Sequence, residues 1–224
     1  MLASIIRATS SRSKPDKKSP NSESDHMTKT VSALYDNYSA ASSAVSTLES
    51  AGVAHSDISI VANNSENWHK GERGSEAAED AGKGAGVGAA LGGLGGLLTG
   101  LGLMAIPGVG PVVAAGWLAS TAAGALAGAA VGGAAGGLIG GLADAGVPER
   151  DAHVYAEGVR RGGTLVTAKV NDELAVEAQA ILDRNQSVNL ATRGTWYRES
   201  GWSSFDQNAP AYTVEEIARE RARY

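Results

Sequence analysis

Glycine recurs at every fourth position within a long uncharged stretch in the middle of this chain. From Gly84 to Ala143 there is no charged side chain. The repeated positions are Gly84, Gly88, Gly92, Gly96 and Gly100, followed by Gly124, Gly128, Gly132, Gly136 and Gly140. On a helix of about 100° per residue, the first set shares one broad face and leucines fill the other. Bare backbone opposite bulky side chains indicates close helix packing.

This spacing predicts two helices, over residues 84–106 and 112–142. The breaker sequence Ile106–Pro111 lies between them and predicts an antiparallel glycine-zipper hairpin over residues 81–145. Each predicted helix is long enough to cross a membrane, because about 20 residues suffice.

The glycines of such helices need to be covered. Each interior glycine costs a helix about 1 kcal/mol relative to alanine. A dozen cost on the order of 10 kcal/mol, which is comparable to the stability of a whole domain. Two environments compensate: lipid, or close packing against another copy of the chain. We therefore expect either a membrane-associated hairpin or a water-soluble hairpin buried in a homo-oligomer.

The segment before the glycine-rich stretch has a strand-helix-strand pattern. Thr28–Tyr35 alternates as a strand, and Asp36 is the predicted cap of a helix that begins near Tyr38 and stops at Gly52. Asp57–Asn63 is the next predicted strand.

The segment after it repeats this pattern. A helix is predicted from Pro148 to about Arg160, a strand at Thr164–Val170, a helix capped by Asn171, and a final strand at Ser187–Ala191. Two such units predict an α+β fold, a split β-α-β ferredoxin-like sandwich of four strands with helices on one face.

The predicted organisation has six parts. They are a disordered extension (1–27), the first half of the ferredoxin-like domain (28–63), a linker (64–80), the helical hairpin (81–145), the second half of the domain (146–192) and an aromatic tail (193–224). In the tail, a capping-box pattern at Thr213–Glu216 predicts a short helix. We expect the tail to dock onto its own domain or a neighbouring subunit through Trp196, Tyr197, Trp202, Phe205 and Tyr212.

The residue types present argue against most kinds of catalytic, nucleotide-binding and metal-binding site. The chain has no cysteine, and its net charge of −5 argues against nucleic acid as a partner. The glycine-rich sequences lack the context of a phosphate-binding loop. Asp151, His153 and Glu157 offer metal ligands, but no second histidine has a companion spacing. We predict no catalytic, cofactor-binding or metal-binding residues, and therefore no enzyme.

Two motifs resemble a known family. Thr30–Tyr35 with its following helix, and above all Gly146–Val166, are similar to bacterial general stress proteins of the 17M type. The resemblance covers roughly Thr28–Thr192 and includes the glycine-rich insertion, whereas the N-terminal extension departs from the family pattern. It implies a stress-induced bacterial protein without an established molecular activity, and it supplies no site residues.

The sequence therefore predicts a non-enzymatic, stress-associated protein that associates with a membrane and self-assembles through the glycine-zipper hairpin. Its predicted partners are other copies of the chain and membrane lipid, with the ferredoxin-like domain in the cytoplasm. The alternative is a soluble cytoplasmic homo-oligomer, acting as a scaffold or as a small-molecule sensor.

Overall fold

An antiparallel five-stranded sheet is the centre of the fold. The computed structural model describes residues 28–70, 101–121 and 137–223. The strands are β1 (Thr28–Tyr35), β2 (Ile58–Asn63), β3 (Gly102–Ile106), β4 (Gly110–Gly116) and β5 (Thr164–Asn171), in the spatial order β1-β5-β2-β4-β3. The helices are α1 (Tyr38–Ser50), α2 (Leu138–Asp144), α3 (Glu149–Arg160), α4 (Asp172–Arg184), α5 (Leu190–Glu199) and α6 (Val214–Arg221). Residues 117–121 are also helical. The α+β class is confirmed.

The segment 28–63 forms the predicted strand, helix and strand, but the predicted helix cap is wrong. Asn37 rather than Asp36 caps α1, since its Oδ1 atom accepts a hydrogen bond from the Ala40 amide at 2.9 Å. Asp36 lies one position too early to reach that amide. Its carboxylate instead pairs with Arg193 at 2.8 Å.

Strand β5 lies between β1 and β2 and is antiparallel to both. The predicted final strand at Ser187–Ala191 is wrong. Asn189 accepts a hydrogen bond from the Thr192 amide and so starts α5 at Leu190, which prevents an extended conformation. Within this segment, the backbone amide of Val188 donates a hydrogen bond of 2.7 Å to the Leu34 carbonyl at the outer edge of β1.

Helices cover both faces of the sheet, so the prediction of helices on one face is wrong. On one face α1 and α4 pack over alternate strand residues such as Tyr35, Ile60 and Val166. On the other face α2 and α3 pack over Leu34 and the alternate residues of the other strands. The central strands are consequently buried on both sides, which explains their continuous apolar character.

The predicted helical hairpin is wrong over residues 102–116, whereas residues 117–121 and 138–142 of its second helix are helical as predicted. The chain does reverse at residues 107–109, but the segments on either side are the strands β3 and β4, not helices. Tertiary pairing decides this conformation, because β4 aligns with β2 from Asn63↔Val112 to Ser59↔Gly116. The β-branched Val112 and Val113 suit a strand and are fully buried there. The remaining parts of the predicted hairpin, residues 81–100 and 122–136, lie outside the described residues.

Two buried tyrosines connect the helices to the sheet on opposite faces. The Tyr35 hydroxyl donates to the Leu182 carbonyl at 2.9 Å, and the Tyr155 hydroxyl donates to the Ser32 carbonyl at 3.0 Å. Burial, with a smaller contribution from nearby carboxylates, raises the pKa of both hydroxyls well above the usual value of 10.0.

These raised pKa values predict alkaline destabilisation. Above pH 10 the unfolded chain loses both tyrosine protons while the folded chain retains them. The contribution of the two tyrosines to the free energy of unfolding is therefore fully present below pH 10 and is lost as the pH rises. At pH 11 the loss is about 1.4 kcal/mol per tyrosine. Urea unfolding at pH 9 and pH 11 measures it. Tyr35→Phe and Tyr155→Phe should each reduce the difference, and an unchanged difference in both variants would contradict this explanation.

Candidate functional site

A buried cluster of charges lies at the C-terminal end of α3. The Arg161 Nε atom donates to Glu157 Oε1 at 2.7 Å, and its Nη1 atom donates to Glu220 Oε2 at 3.0 Å. Arg160 Nη1 lies 3.3 Å from the second oxygen of Glu157. The spacing of Glu157 to these arginines brings their side chains together within one turn, and arginine is favourable at a helix C-terminus. Glu157 is completely buried.

The ion pairs keep the buried guanidinium charged. Burial alone lowers the pKa of Arg161, but the hydrogen bond and the negative charge of Glu157 outweigh it, with Glu220 adding to the same effect. The net result is a pKa above the usual arginine value. Arg161 therefore acts as a permanent positive centre between two carboxylates from distant parts of the chain.

Aromatic residues of the tail stack on these arginines. The Arg161 guanidinium lies 4.2 Å from the centre of the Tyr197 ring, and the Arg160 guanidinium lies 4.7 Å from the centre of the Tyr212 ring. Trp202 packs edge-on against Tyr197 at 5.8 Å. Cation-π contacts of this kind are stronger when they are shielded from water. Tyr197 and Tyr212 thus place the tail against its own domain, and Trp202 packs on Tyr197.

The other two predicted tail aromatics differ in their surroundings. The backbone amide of Phe205 donates to His153 Nδ1 at 3.2 Å, and its partly buried side chain packs on the core beneath α3. Trp196 is 44% exposed on α5. The tail then crosses the β3–β4 turn, where a Cβ on Gly108 would lie 2.6 Å from the Cα atom of Gln207. This close approach explains why glycine is required there.

Helix α6 completes the arrangement. The predicted capping box is present: Glu216 accepts from the Thr213 amide at 2.8 Å, and the Thr213 hydroxyl accepts from the Glu216 amide. Ile217 is fully buried. Arg221 donates to the Gly162 carbonyl at 3.1 Å and pairs with Glu66 at 2.8 Å. The tail therefore joins the end of α3 to the linker that leads into residues 71–100.

A small cavity opens beside the cluster. It has a volume of about 200 Å³ and is lined by Arg161, Trp196, Tyr197, Glu220 and Arg223. This is smaller than most sites for drug-sized ligands. Its lining combines aromatic rings with two guanidinium groups that already donate to Glu220.

The three candidate metal ligands have different partners. Glu157 pairs with Arg160 and Arg161, and Asp151 pairs with Arg150 at 3.2 Å. His153 accepts a hydrogen bond from the Phe205 amide. Across residues 28–70, 101–121 and 137–223, no group of three or more His, Cys, Asp and Glu residues is placed to hold a metal ion.

Most predicted zipper glycines cannot be placed. Those from Gly84 to Gly136 lie outside the described residues, and Gly140 is partly buried in α2. The neighbouring Gly141 is buried: a Cβ there would lie 2.9 Å from Leu118 Cδ1 and 3.2 Å from Thr121 Cγ2. At this end of the glycine-rich stretch, bare backbone forms a contact surface for another helical segment. In the described part of the chain, no helix has both the length and the apolar character needed to cross a membrane.

Comparison with known families gives the class of protein. Residues 30–109, from β1 to the β3–β4 turn, match the family model of the "Heat induced stress protein YflT domain". This segment is therefore similar to YflT domains. The resemblance to bacterial general stress proteins is confirmed over this range, and the match supports a stress-associated role. The second motif, Gly146–Val166, lies beyond the YflT match. No curated protein and no solved structure matches the chain.

The ion cluster is the feature that sequence reasoning missed. Glu157 was considered only as a metal ligand, although its spacing to Arg160 and Arg161 is also that of helical ion pairs. Glu220 could not be assigned to this cluster from the sequence, because 59 residues separate it from Arg161. The buried Arg193, which pairs with Asp36 across 157 residues, was missed for the same reason.

Proposed function

We propose that this YflT-domain protein is a non-enzymatic stress protein that self-assembles through its glycine-rich middle and associates with a membrane through the same segment. The contact surface that Gly141 offers to Leu118 and Thr121 is the observation that carries the proposal. There, the absence of a side chain at Gly141 lets the side chains of another helical segment approach the backbone of α2 closely. Small residues at helical spacing also occur from Gly84 to Gly100 and from Gly124 to Gly140.

The glycine-rich segments are attached to the folded domain at both of their ends. Residues 71–100 follow the linker held by α6 and precede β3, while residues 122–136 lie between the helical residues 117–121 and α2. All four attachment points belong to one folded unit. Both glycine-rich segments are therefore attached at each end to the same folded unit.

Bulk on the glycine face is the direct test of assembly. We expect the double variant Gly92→Leu/Gly96→Leu to lose self-association, because leucine side chains hold facing backbones apart. Light scattering of the purified full chain measures the mass. Ala90→Leu is the control, since it adds a leucine on the predicted leucine face and should keep the native mass. Unchanged oligomers in the double variant would exclude the zipper from assembly.

A soluble assembly is the second candidate, and one contact favours it. Because Gly141 packs on Leu118 and Thr121, the two ends of residues 122–136 meet at one place, whereas a single membrane crossing separates its ends by about 30 Å. In this alternative the glycine-rich middle is buried between copies, and the protein acts as a scaffold or as a small-molecule sensor. For a sensor, the cavity beside Arg161 would be the ligand site. Retention in the membrane pellet after a carbonate wash supports membrane association. Release as a discrete oligomer without detergent supports the alternative.

A further inference from the structure

We propose that the outer edge of β3 is a self-assembly surface, where β3 of one copy pairs antiparallel with β3 of a second copy. The pairing would join two five-stranded sheets into one continuous sheet. This inference rests on the self-assembly part of the proposed function, and it names a second contact surface that is separate from the glycine repeat.

The two edges of the sheet differ in their protection. At the β1 edge, Val188 donates a backbone hydrogen bond to Leu34, and Lys29 places a charge that pairs with Asp172 at 3.0 Å. Strand β3 is the other edge, and no strand among the described residues pairs with its outer side. It contains no charge and no proline, and Leu103 is 48% exposed. Proteins that avoid edge pairing normally place charges, prolines or bulges on such strands.

The register between β3 and β4 shows which backbone groups point outward. Ala105 is opposite Pro111, which has no N–H group, so this pair cannot be a hydrogen-bonded pair. The Pro111 carbonyl accepts from the Asn64 amide at 2.9 Å, which shows that it points away from β3. Hydrogen-bonded and non-bonded pairs alternate in an antiparallel ladder. The N–H and C=O groups of Leu103 and Ala105 therefore face the free edge.

This arrangement is complementary to itself. If two β3 strands meet in antiparallel orientation about Met104, Leu103 of each copy is opposite Ala105 of the other. Each of these pairs can exchange two backbone hydrogen bonds, and all five residues of the strand overlap. A two-fold contact places identical groups near one another, which penalises charged strands. Strand β3 and its surroundings from Leu101 to Thr121 are uncharged, so a second copy is the occupant that this edge fits best.

Single cysteines test the pairing without background, because the chain has none of its own. In the proposed pairing the two Met104 residues form a non-hydrogen-bonded pair, whose Cα atoms are about 4.5 Å apart and within disulfide range. Under mild oxidation the Met104→Cys full chain should form disulfide dimers about 100-fold faster than Val176→Cys, as expected for thiols held together rather than meeting by diffusion. Val176 is 81% exposed on α4 and serves as the control. Equal rates would overturn the proposal, including the case in which another segment covers β3.

A proline removes one outward donor while sparing the ladder to β4. Ala105→Pro should reduce dimer formation in the Met104→Cys background at least tenfold, whereas Ala105→Val retains the N–H group and should keep it. Circular dichroism of both variants checks the fold. An unchanged cross-linking rate in a folded Ala105→Pro chain would overturn the proposal.

The experiments distinguish a failure of the glycine-zipper proposal from a failure of the edge-pairing proposal. If Gly92→Leu/Gly96→Leu retains the native mass while Ala105→Pro abolishes cross-linking, the zipper is excluded and edge pairing is supported. If the glycine variant loses mass and the rate of Met104→Cys equals that of Val176→Cys, the zipper is supported and edge pairing is overturned.

Discussion

Replacing Arg161 with methionine is expected to lower the free energy of unfolding by about 3–5 kcal/mol. Arg161 is buried and joins Glu157 at 2.7 Å to Glu220 at 3.0 Å. Methionine keeps much of the side-chain stem but removes the charge, so the completely buried Glu157 would retain only Arg160 at 3.3 Å. A buried carboxylate without sufficient partners is far more costly than the pair itself is stabilising. Equilibrium unfolding in urea measures the change.

Arg150→Met is the matched control on the same helix. Arg150 pairs with Asp151 at 3.2 Å, but its side chain is 83% exposed. Exposed pairs contribute about 0–1 kcal/mol, so this variant should unfold almost like the parent chain. If Arg161→Met and Arg150→Met lose similar small amounts, the cluster does not hold the tail against α3.

Replacing Gly116 with alanine should have the second large effect, a loss of about 3–5 kcal/mol. Gly116 has φ of +87°, and a Cβ there would overlap the Ile58 carbonyl oxygen and lie 2.7 Å from the Ser59 Cα atom. The clash is with the backbone of β2, which cannot rotate away. We expect a lower midpoint in thermal unfolding and weakened pairing between β2 and β4.

Gly52→Ala separates the clash from the backbone strain. Gly52 has a similar φ of +91°, but a Cβ there would have no neighbour within 4 Å. It should therefore cost only the strain of a left-handed alanine, about 1–2 kcal/mol. Equal losses in the two variants would mean that the close contact between β4 and β2 is not restrictive.

Local patterns predicted the outer parts of the fold well. Strand β1, helix α1 and strand β5 have clear periodicity and caps within their own sequence, and the structure contains them near the predicted residues. The error at residues 187–191 shows the limit of such patterns. A short apolar run is compatible with either a strand or a helix start, and the cap formed by Asn189 decides between them.

The strands β3 and β4 could not be recognised locally. Glycine and alanine at small-residue spacing suggested helices on both sides of the turn, at residues 102–106 and 112–116, but the conformation there depends on pairing with β2, about fifty residues earlier in the chain. Such pairing overrides weak local preferences. The turn at residues 107–109 was predicted correctly because Pro107 and Gly108 act locally.

The candidate site was even less accessible from sequence. The sequence predicts that the tail aromatics dock, and Tyr197 and Tyr212 do lie on the arginines of the cluster, with Trp202 against Tyr197. The partner of Arg161 on α6, however, is defined by tertiary packing alone. A glutamate among many charged residues in a C-terminal helix carries no signal that it will be buried.

The mass of the purified full chain, compared with that of Gly92→Leu/Gly96→Leu, tests the central claim most directly. Sedimentation or light scattering in the same buffer is sufficient, with Ala90→Leu as the control for added bulk. Our account predicts a defined multimer for the parent chain and for Ala90→Leu, and a loss of mass in the double variant. A parent chain that is monomeric at every concentration, or a double variant with unchanged mass, would contradict assembly through the glycine-rich middle.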